Sequence, residues 1–173
     1  ALVDNIPGLS DNPVYTLPAS EKAKELPALE DVWKWLIKNG ASRDSILVNL
    51  GGGVVSDLGG FAAATFNRGM RYINLPTSLI GQADAAIGGK TGINLLGMKN
   101  QAGLFADPAA VVIMPSFLKT LPELHVKSGW AERIKSAVLA GGAYWDKVKN
   151  MRQPDNGMLV DLILDAVRFK CGV

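Results

Sequence analysis

Apolar and polar positions along this chain fall into blocks whose spacing switches between helix-like and strand-like. Leu29, Val32, Trp33, Leu36 and Ile37 recur at helical intervals, which predicts a helix with one apolar face, and Gly40 supplies its stop. Residues 45–50 (SILVNL) form a short apolar run with β-branched side chains, the pattern of a buried parallel strand. Gly51, Gly52 and Gly53 follow it and lead into a helix expected over 54–66. Residues 71–75 (RYINL), closed by Pro76, and 110–114 (AVVIM), closed by Pro115, predict two further strands. Residues 1–3 read as a strand end, with a polar loop after them through Pro18. Between the second and third strands two glycine-rich loops are expected, around Gly88 and Gly97.

After Pro115 the pattern changes. A short helical turn is expected over 117–121, a longer helix over 126–140, and a third over 158–171 with Leu159, Leu162, Ile163, Ala166 and Val167 on one face. No strand is predicted past Met114. The expected fold is α/β: a Rossmann-like domain over 1–115, then the beginning of an all-helical domain over 116–173. A strand, a glycine turn and a helix form the unit of an open α/β sheet, whose ligands sit at strand carboxyl ends.

Composition narrows the function classes. A hydrophobic share of 48% with 20% charged residues is that of a globular chain able to build a core. A net charge of +2, with no run of Lys or Arg, points away from nucleic acid and from anionic membranes as partners. No apolar stretch approaches the ~20 residues of a membrane helix. Cys171 is the only cysteine, so no intrachain disulfide forms, and a reducing, cytoplasmic setting is expected. The chain opens without Met and stops inside a predicted helix, so it is expected to be cut at both ends.

Several clusters have the composition of binding elements. Glycines at 51–53 suit either a tight strand-to-helix turn or the approach of a pyrophosphate to a helix N-terminus, and the residues alone leave both open. Ser56 stands where the dinucleotide fingerprint has its third glycine. Asp57 is read as a dipole-complementing carboxylate or an acceptor for a ribose or amide. In 84–94 (DAAIGGKTGIN), Gly88, Gly89 and Gly92 flank Lys90, and Lys99-Asn100 adds a second cation and an amide. Lysines flanked by glycine suit a phosphate or carboxylate, although a solvated loop has the same look. Glu132 and Lys135 share a helix face, which ordinarily means a surface ion pair; the alternative is a metal-ligating carboxylate beside a substrate-binding ammonium. His125, the only histidine, is read as a loop residue that cannot make a zinc site by itself, and Lys170 as a snorkelling helix lysine or a ligand.

In order and spacing, from about Ser20 to Lys170, these clusters resemble the 3-dehydroquinate synthases, sugar-phosphate cyclases of the shikimate pathway. The resemblance implies an NAD-binding N-terminal domain and a helical domain that supplies most of a zinc or other divalent (Co2+) site. It assigns Glu21 and Lys24, in a G-E-x-x-K element with Ser20 for glycine, to NAD. It assigns Gly53, Val54, Val55, Ser56 and Asp57, the Thr77-Ser78 pair, Lys90, Lys99, and Phe117, Leu118, Lys119 and Thr120 to the same cofactor. Arg68, Asp84, Lys90, Asn100, Glu132, Lys135 and Lys170 match substrate-site positions, with Asp84, Lys90 and Lys135 in catalytic roles. Glu132 matches the zinc carboxylate. The implied enzyme is a carbon–oxygen lyase. It turns 3-deoxy-D-arabino-heptulosonate 7-phosphate into 3-dehydroquinate and phosphate by transient oxidation, elimination, re-reduction and aldol closure. Its expected partners are this small phosphate and a second copy of the chain in a homodimer.

Three departures accompany the resemblance. The family's two zinc histidines are expected beyond Val173; its first strand is expected before Ala1, with the segment 4–20 short for the family; and Ser56 is a small substitution in the glycine turn, where a close-packed cofactor would feel it. The chain by itself is therefore expected to be inactive. Two rival readings stand beside the first. A related cyclase, of the 2-epi-5-epi-valiolone or 2-deoxy-scyllo-inosose synthase type, shares the NAD elements, though the intact GGKTGIN favours the shikimate enzyme. A non-catalytic NAD-binding module is the other.

Overall fold

The computed structural model describes residues 2–151 and 156–172. Helix α1 (Leu26–Lys38) carries Pro27 in its first turn, buries Leu29, Val32 and Leu36, and ends before Gly40, whose φ of +67° a side chain rarely adopts. Strands β1 (Ile46–Gly51) and β2 (Arg71–Pro76) pair in parallel from Ile46↔Arg71 to Gly51↔Pro76. Between them runs α2 (Gly53–Thr65). Its Gly59 and Gly60 let the sheet and its neighbours approach closely: a Cβ on Gly60 would lie 2.6 Å from Thr91 Cγ2, and one on Gly59 would overlap Asn49. Leu58, Ala62, Ala63 and Phe66 then join Leu29, Val32, Leu36, Tyr72 and Ile93 in the main core.

The two loops expected around Gly88 and Gly97 are instead an antiparallel hairpin, β3 (Lys90–Leu95) and β4 (Met98–Phe105). Its turn is Leu96-Gly97, with φ of 52° and 77°, so both residues occupy the left-handed region a tight hairpin turn requires. Leu at the first of these positions hides the turn from a reading that looks for Asn-Gly or Asp-Gly. Most of β4 is exposed, so no alternation of burial marks it as a strand. Gly92, which belongs to the expected loop around Gly88, pairs with Gly103 across the hairpin; a Cβ on Gly92 would lie 2.6 Å from the Ala102 carbonyl, so the strands need a glycine there.

Other expectations are corrected in smaller ways. Val3–Asn5 is a 3-10 turn and not a strand end, while Ala1 lies outside the described residues. β5 is only Ala110–Val111, pairing in parallel with β2, so the sheet order is β1-β2-β5. The turn Pro115–Thr120 is 3-10, near its expected place. Helix α3 (Glu123–Ala140) begins early enough to include His125, which is exposed on it and not in a loop. An unexpected α4 (Gly142–Val148) starts where Gly141, its N-cap, and Gly142, its first residue, turn the chain at positive φ. In α5 (Asn156–Cys171), Ile163 and Ala166 are buried and Val167 packs beside them; the side chains of Leu159 and Leu162 lie outside the described residues. No helix among the described residues is long and apolar enough to cross a membrane.

Tyr72, at the centre of the main core, donates its hydroxyl to the Ala106 carbonyl and thereby ties β2 to the end of the hairpin. Burial first, then the charges of Asp107 and Asp57, push its pKa from 10.0 up to about 12. A folded-state pKa above the unfolded one means that the native state holds the proton more tightly. The contribution is therefore complete below pH 10 and lost as pH rises toward about 12. Denaturation titrations over that window are expected to show falling stability in the parent and a flatter limb in Tyr72→Phe; equal slopes would contradict the burial account.

Candidate functional site

The site is built where β1 and β2 end. The Thr77 N–H donates to the Gly51 carbonyl (2.9 Å), so the glycine turn and the Thr77-Ser78 segment lie side by side. None of Gly51, Gly52 and Gly53 has positive φ, so backbone freedom is not their purpose. They allow close approach: a Cβ on Gly51 would lie 2.5 Å from Val55 Cγ2, on Gly52 3.2 Å from Ser78 Oγ, and on Gly53 3.3 Å from Ala85 Cβ. No side chain caps α2 at Gly52, which leaves first-turn N–H groups facing an anion's natural position. Val54 and Val55 lie in this turn. Ser56 is buried, its hydroxyl turned back toward the Gly52 carbonyl at 3.5 Å, and the Ser78 Oγ is engaged by the Gly81 N–H at 3.1 Å.

A polar network extends from this turn to the hairpin. Lys24, only 4% exposed, forms an ion pair with Asp57 and donates to Asn100 Oδ1 at 2.5 Å. Asp57 is thus a partner of Lys24 and not a dipole-complementing residue, since it follows the first turn of α2. Burial pushes the Asp57 carboxyl up from its ordinary pKa, against the opposing pull of Lys24. Glu21 is exposed and accepts from Asn94 Nδ2 at 3.2 Å. Asn100 holds a φ of 55°, a conformation Asn tolerates better than most residues.

Asp84 comes from a one-turn π-helix, Gly81–Ala85, of the kind often found at functional sites. Two buried polar side chains hold it in place. Gln82, 0% exposed, donates to the carbonyls of Pro76 (3.1 Å) and Met114 (2.9 Å), and Asn74 donates to that of Ala86 (3.1 Å). Asn74 in turn accepts from Asn49 on the adjacent strand at 3.0 Å. From α5, Lys170 reaches Asp84, donating to its carboxylate and, at 2.7 Å, to its carbonyl. Lys170 is therefore no idle snorkelling lysine. Gly88, at φ +85°, lies under it, and a Cβ there would sit 3.1 Å from Lys170 Cε.

Asp57, Asp84, Lys90, Asn100 and Lys170 line one cavity of about 440 Å³, floored by the hairpin. Gly129 of α3 packs so closely on Leu79 that a Cβ would lie 2.6 Å from its side chain, which lays the Glu132 and Lys135 turn near the π-helix. Glu132 accepts from Lys135, and that bond, more than the field of Asp84, raises the Lys135 pKa. Beside Glu132, Arg133 is 1% exposed and its guanidinium has no hydrogen-bond partner among the described residues; burial lowers its pKa.

Residues 14–128 match the family described as 3-dehydroquinate synthase N-terminal. The chain belongs to the 3-dehydroquinate synthase family. It is 48% identical over 139 residues to the 3-dehydroquinate synthase of Parabacteroides distasonis, covering 80% of this chain and 39% of that one. With the Leptospira interrogans 3-dehydroquinate synthase the identity is 40% over 171 residues, 95% of this chain and 47% of the relative. The chain thus spans less than half the length of these relatives. Among solved structures it resembles the 2-epi-5-epi-valiolone synthase of Streptomyces hygroscopicus with NAD+ and Zn2+ bound (TM-score 0.76, 31% identity, 90% of this chain and 45% of that one). A 2-deoxy-scyllo-inosose synthase shares the fold at a TM-score of 0.79 and 24% identity, covering 90% of this chain and 43% of that one.

Within this family chain, not every residue that the resemblance assigns reaches the cavity. Arg68 follows the far end of α2, about 20 Å along the helix from Gly53, and is exposed at φ 65°. Lys99 is exposed on β4, and Lys119 and Thr120 on the turn before α3. Phe117 is half-buried; Leu118 is packed with Leu79 and Ile163, so its side chain serves the core. No three His, Cys, Asp or Glu side chains stand close enough to hold a metal among the described residues. Glu132 is one donor, which does not by itself make a metal site. Gln82, Asn74 and Asn94 join the site without any motif to mark them in the sequence. Their signal is of another kind: amides inside apolar runs are costly to bury unless they bind something.

Proposed function

We propose that this chain is the dinucleotide half, with part of the substrate site, of an NAD-dependent 3-dehydroquinate synthase. The reaction converts 3-deoxy-D-arabino-heptulosonate 7-phosphate to 3-dehydroquinate and phosphate. The observation that carries this reading is the cavity in which Lys90, Asn100 and Lys170 converge with Asp84 beside the uncapped start of α2. Residues 1–115 serve NAD and 116–173 begin the helical metal and substrate part, in a cytoplasmic homodimer.

The chain's own residues divide the work. The first turn of α2 receives the pyrophosphate, and the close-packed glycines keep Val54, Val55 and Thr77 near it. Glu21, Lys24, Ser78, Lys99, Phe117, Lys119 and Thr120 complete the cofactor surface, to which Leu118 adds only its backbone. When bound, NAD supplies a hydride acceptor that later returns the hydride, and a divalent metal supplies a Lewis acid. Lys90, Lys135 and Lys170 offer ammonium donors, and Asn100 a further donor, to the phosphate and carboxylate of the substrate, while Arg68, at the far end of α2, stands outside this cavity. Asp84 orients the Lys170 ammonium through two acceptors, its carboxylate and its carbonyl. Glu132, which here accepts from Lys135, would be this chain's carboxylate toward the metal, the remaining ligands coming from outside these residues.

The test is phosphate release from the heptulosonate phosphate by a family-length protein carrying this chain, with NAD and Zn2+ present. No release, or release only from another sugar phosphate, would overturn the substrate. The second outcome would favour the valiolone-type reading. Lys90→Ala in that protein is expected to lose roughly 1.5–3 kcal/mol of transition-state stabilisation, the value of a charge-assisted contact to an anion. Unchanged kcat/KM would return Lys90 to the surface.

A further inference from the structure

Asn94 lies at the end of β3, buried at 8% exposure, where no ligand is assigned to it. Three of its polar groups are committed to different parts of the site. Its backbone N–H donates to the Lys24 carbonyl at 2.7 Å, and an isolated parallel bridge joins it to Glu25. Its Nδ2 donates to Glu21 Oε1 at 3.2 Å. Its Oδ1 accepts from the Asn100 N–H at 3.0 Å, while Asn100 accepts from Lys24 through its own side chain at 2.5 Å. Asn100 is thereby gripped from both sides in a left-handed conformation that only a few side chains adopt readily.

We propose that Asn94 is a positioning residue: it sets the Glu21–Lys24 turn and Asn100 relative to each other, so that the cofactor and substrate halves of the site share one amide. This rests on the assignment of Glu21 and Lys24 to NAD and of Asn100 to substrate made above. The hydrogen bonds separate the two halves. Asn94→Asp keeps an acceptor for the Asn100 N–H but loses the donor to Glu21 and sets a carboxylate against it. Asn94→Ala loses both.

The experiment titrates the 173-residue chain and its variants with NAD by calorimetry and follows hydrogen exchange at the Asn100 amide. Asn94→Asp is expected to weaken NAD by roughly tenfold or more, the worth of one hydrogen bond to a charged group, with the Asn100 amide still protected. Asn94→Ala is expected to weaken NAD as much and to expose that amide. If Asn94→Ala fails to fold, Asn94→Asp alone carries the test through the same two readouts. A merely structural role lowers Tm while the folded molecules bind NAD with parental affinity, and that result overturns the proposal. Glu21→Ala, at an exposed position, separates the two failures. NAD weakened by Glu21→Ala but not by either Asn94 variant sinks this inference and leaves the proposed function standing. A parent that binds no NAD, or a Glu21→Ala variant that binds it normally, sinks the cofactor assignment and this inference with it.

Discussion

Lys24→Met is expected to destabilise this chain by about 1–3 kcal/mol at neutral pH, because it leaves the carboxylate of a partly buried ion pair without its partner. Lys24 is nearly inaccessible, and Asp57 depends on it in a setting where burial already raises the carboxyl pKa from 3.8. Without Lys24 the opposing pull is gone and the folded-state pKa rises further. For a carboxyl raised on folding, the contribution is complete below the unfolded value and is lost as pH rises through the folded one. The penalty of the variant should therefore be small near pH 4 and grow toward pH 7. Adding Asp57→Asn should recover most of it, since a neutral amide tolerates the site. Urea denaturation of the parent, the single and the double variant at both pH values checks this. A loss independent of pH, with no recovery in the double variant, would mean that the Lys24 side chain matters through packing and not through its charge.

Glu132→Gln separates two readings whose expected effects differ widely. As drawn in this chain, Glu132 accepts from Lys135 on α3, and Lys135 is largely exposed. Such a pair contributes about 0–1 kcal/mol, so the substitution would leave a protein close to its parent. As a zinc carboxylate it behaves otherwise, because an amide is a far poorer donor and the loss of one of three protein ligands empties the site. Metal analysis of a family-length protein carrying Glu132→Gln is expected to show stoichiometric zinc lost and phosphate release abolished. Zinc retained at one per chain would leave the ion pair as the whole role of Glu132. The 173-residue chain itself, with no cluster of three donors among its described residues, is expected not to retain zinc through gel filtration.

What the sequence determined by itself is local and periodic. The spacing of Leu29, Val32 and Leu36 marks α1, and the runs 45–50 and 71–75 mark β1 and β2, because a repeat of three to four or an unbroken apolar run reports which side chains are buried. The glycine turn between β1 and α2 was legible too, although its glycines allow close approach and not positive φ. The order of the polar clusters pointed to the family. The tertiary structure decided the rest. β4 is exposed along most of its length, so no periodicity announces it, and the hairpin exists because β3 packs on α2 through Thr91 and Ile93. Lys24 meets Asp57 and Asn100 across 33 and 76 residues of sequence, and Lys170 meets Asp84 across 86. The partner of a buried charge is chosen by the geometry of the whole chain, since only folding brings such distant groups out of water together.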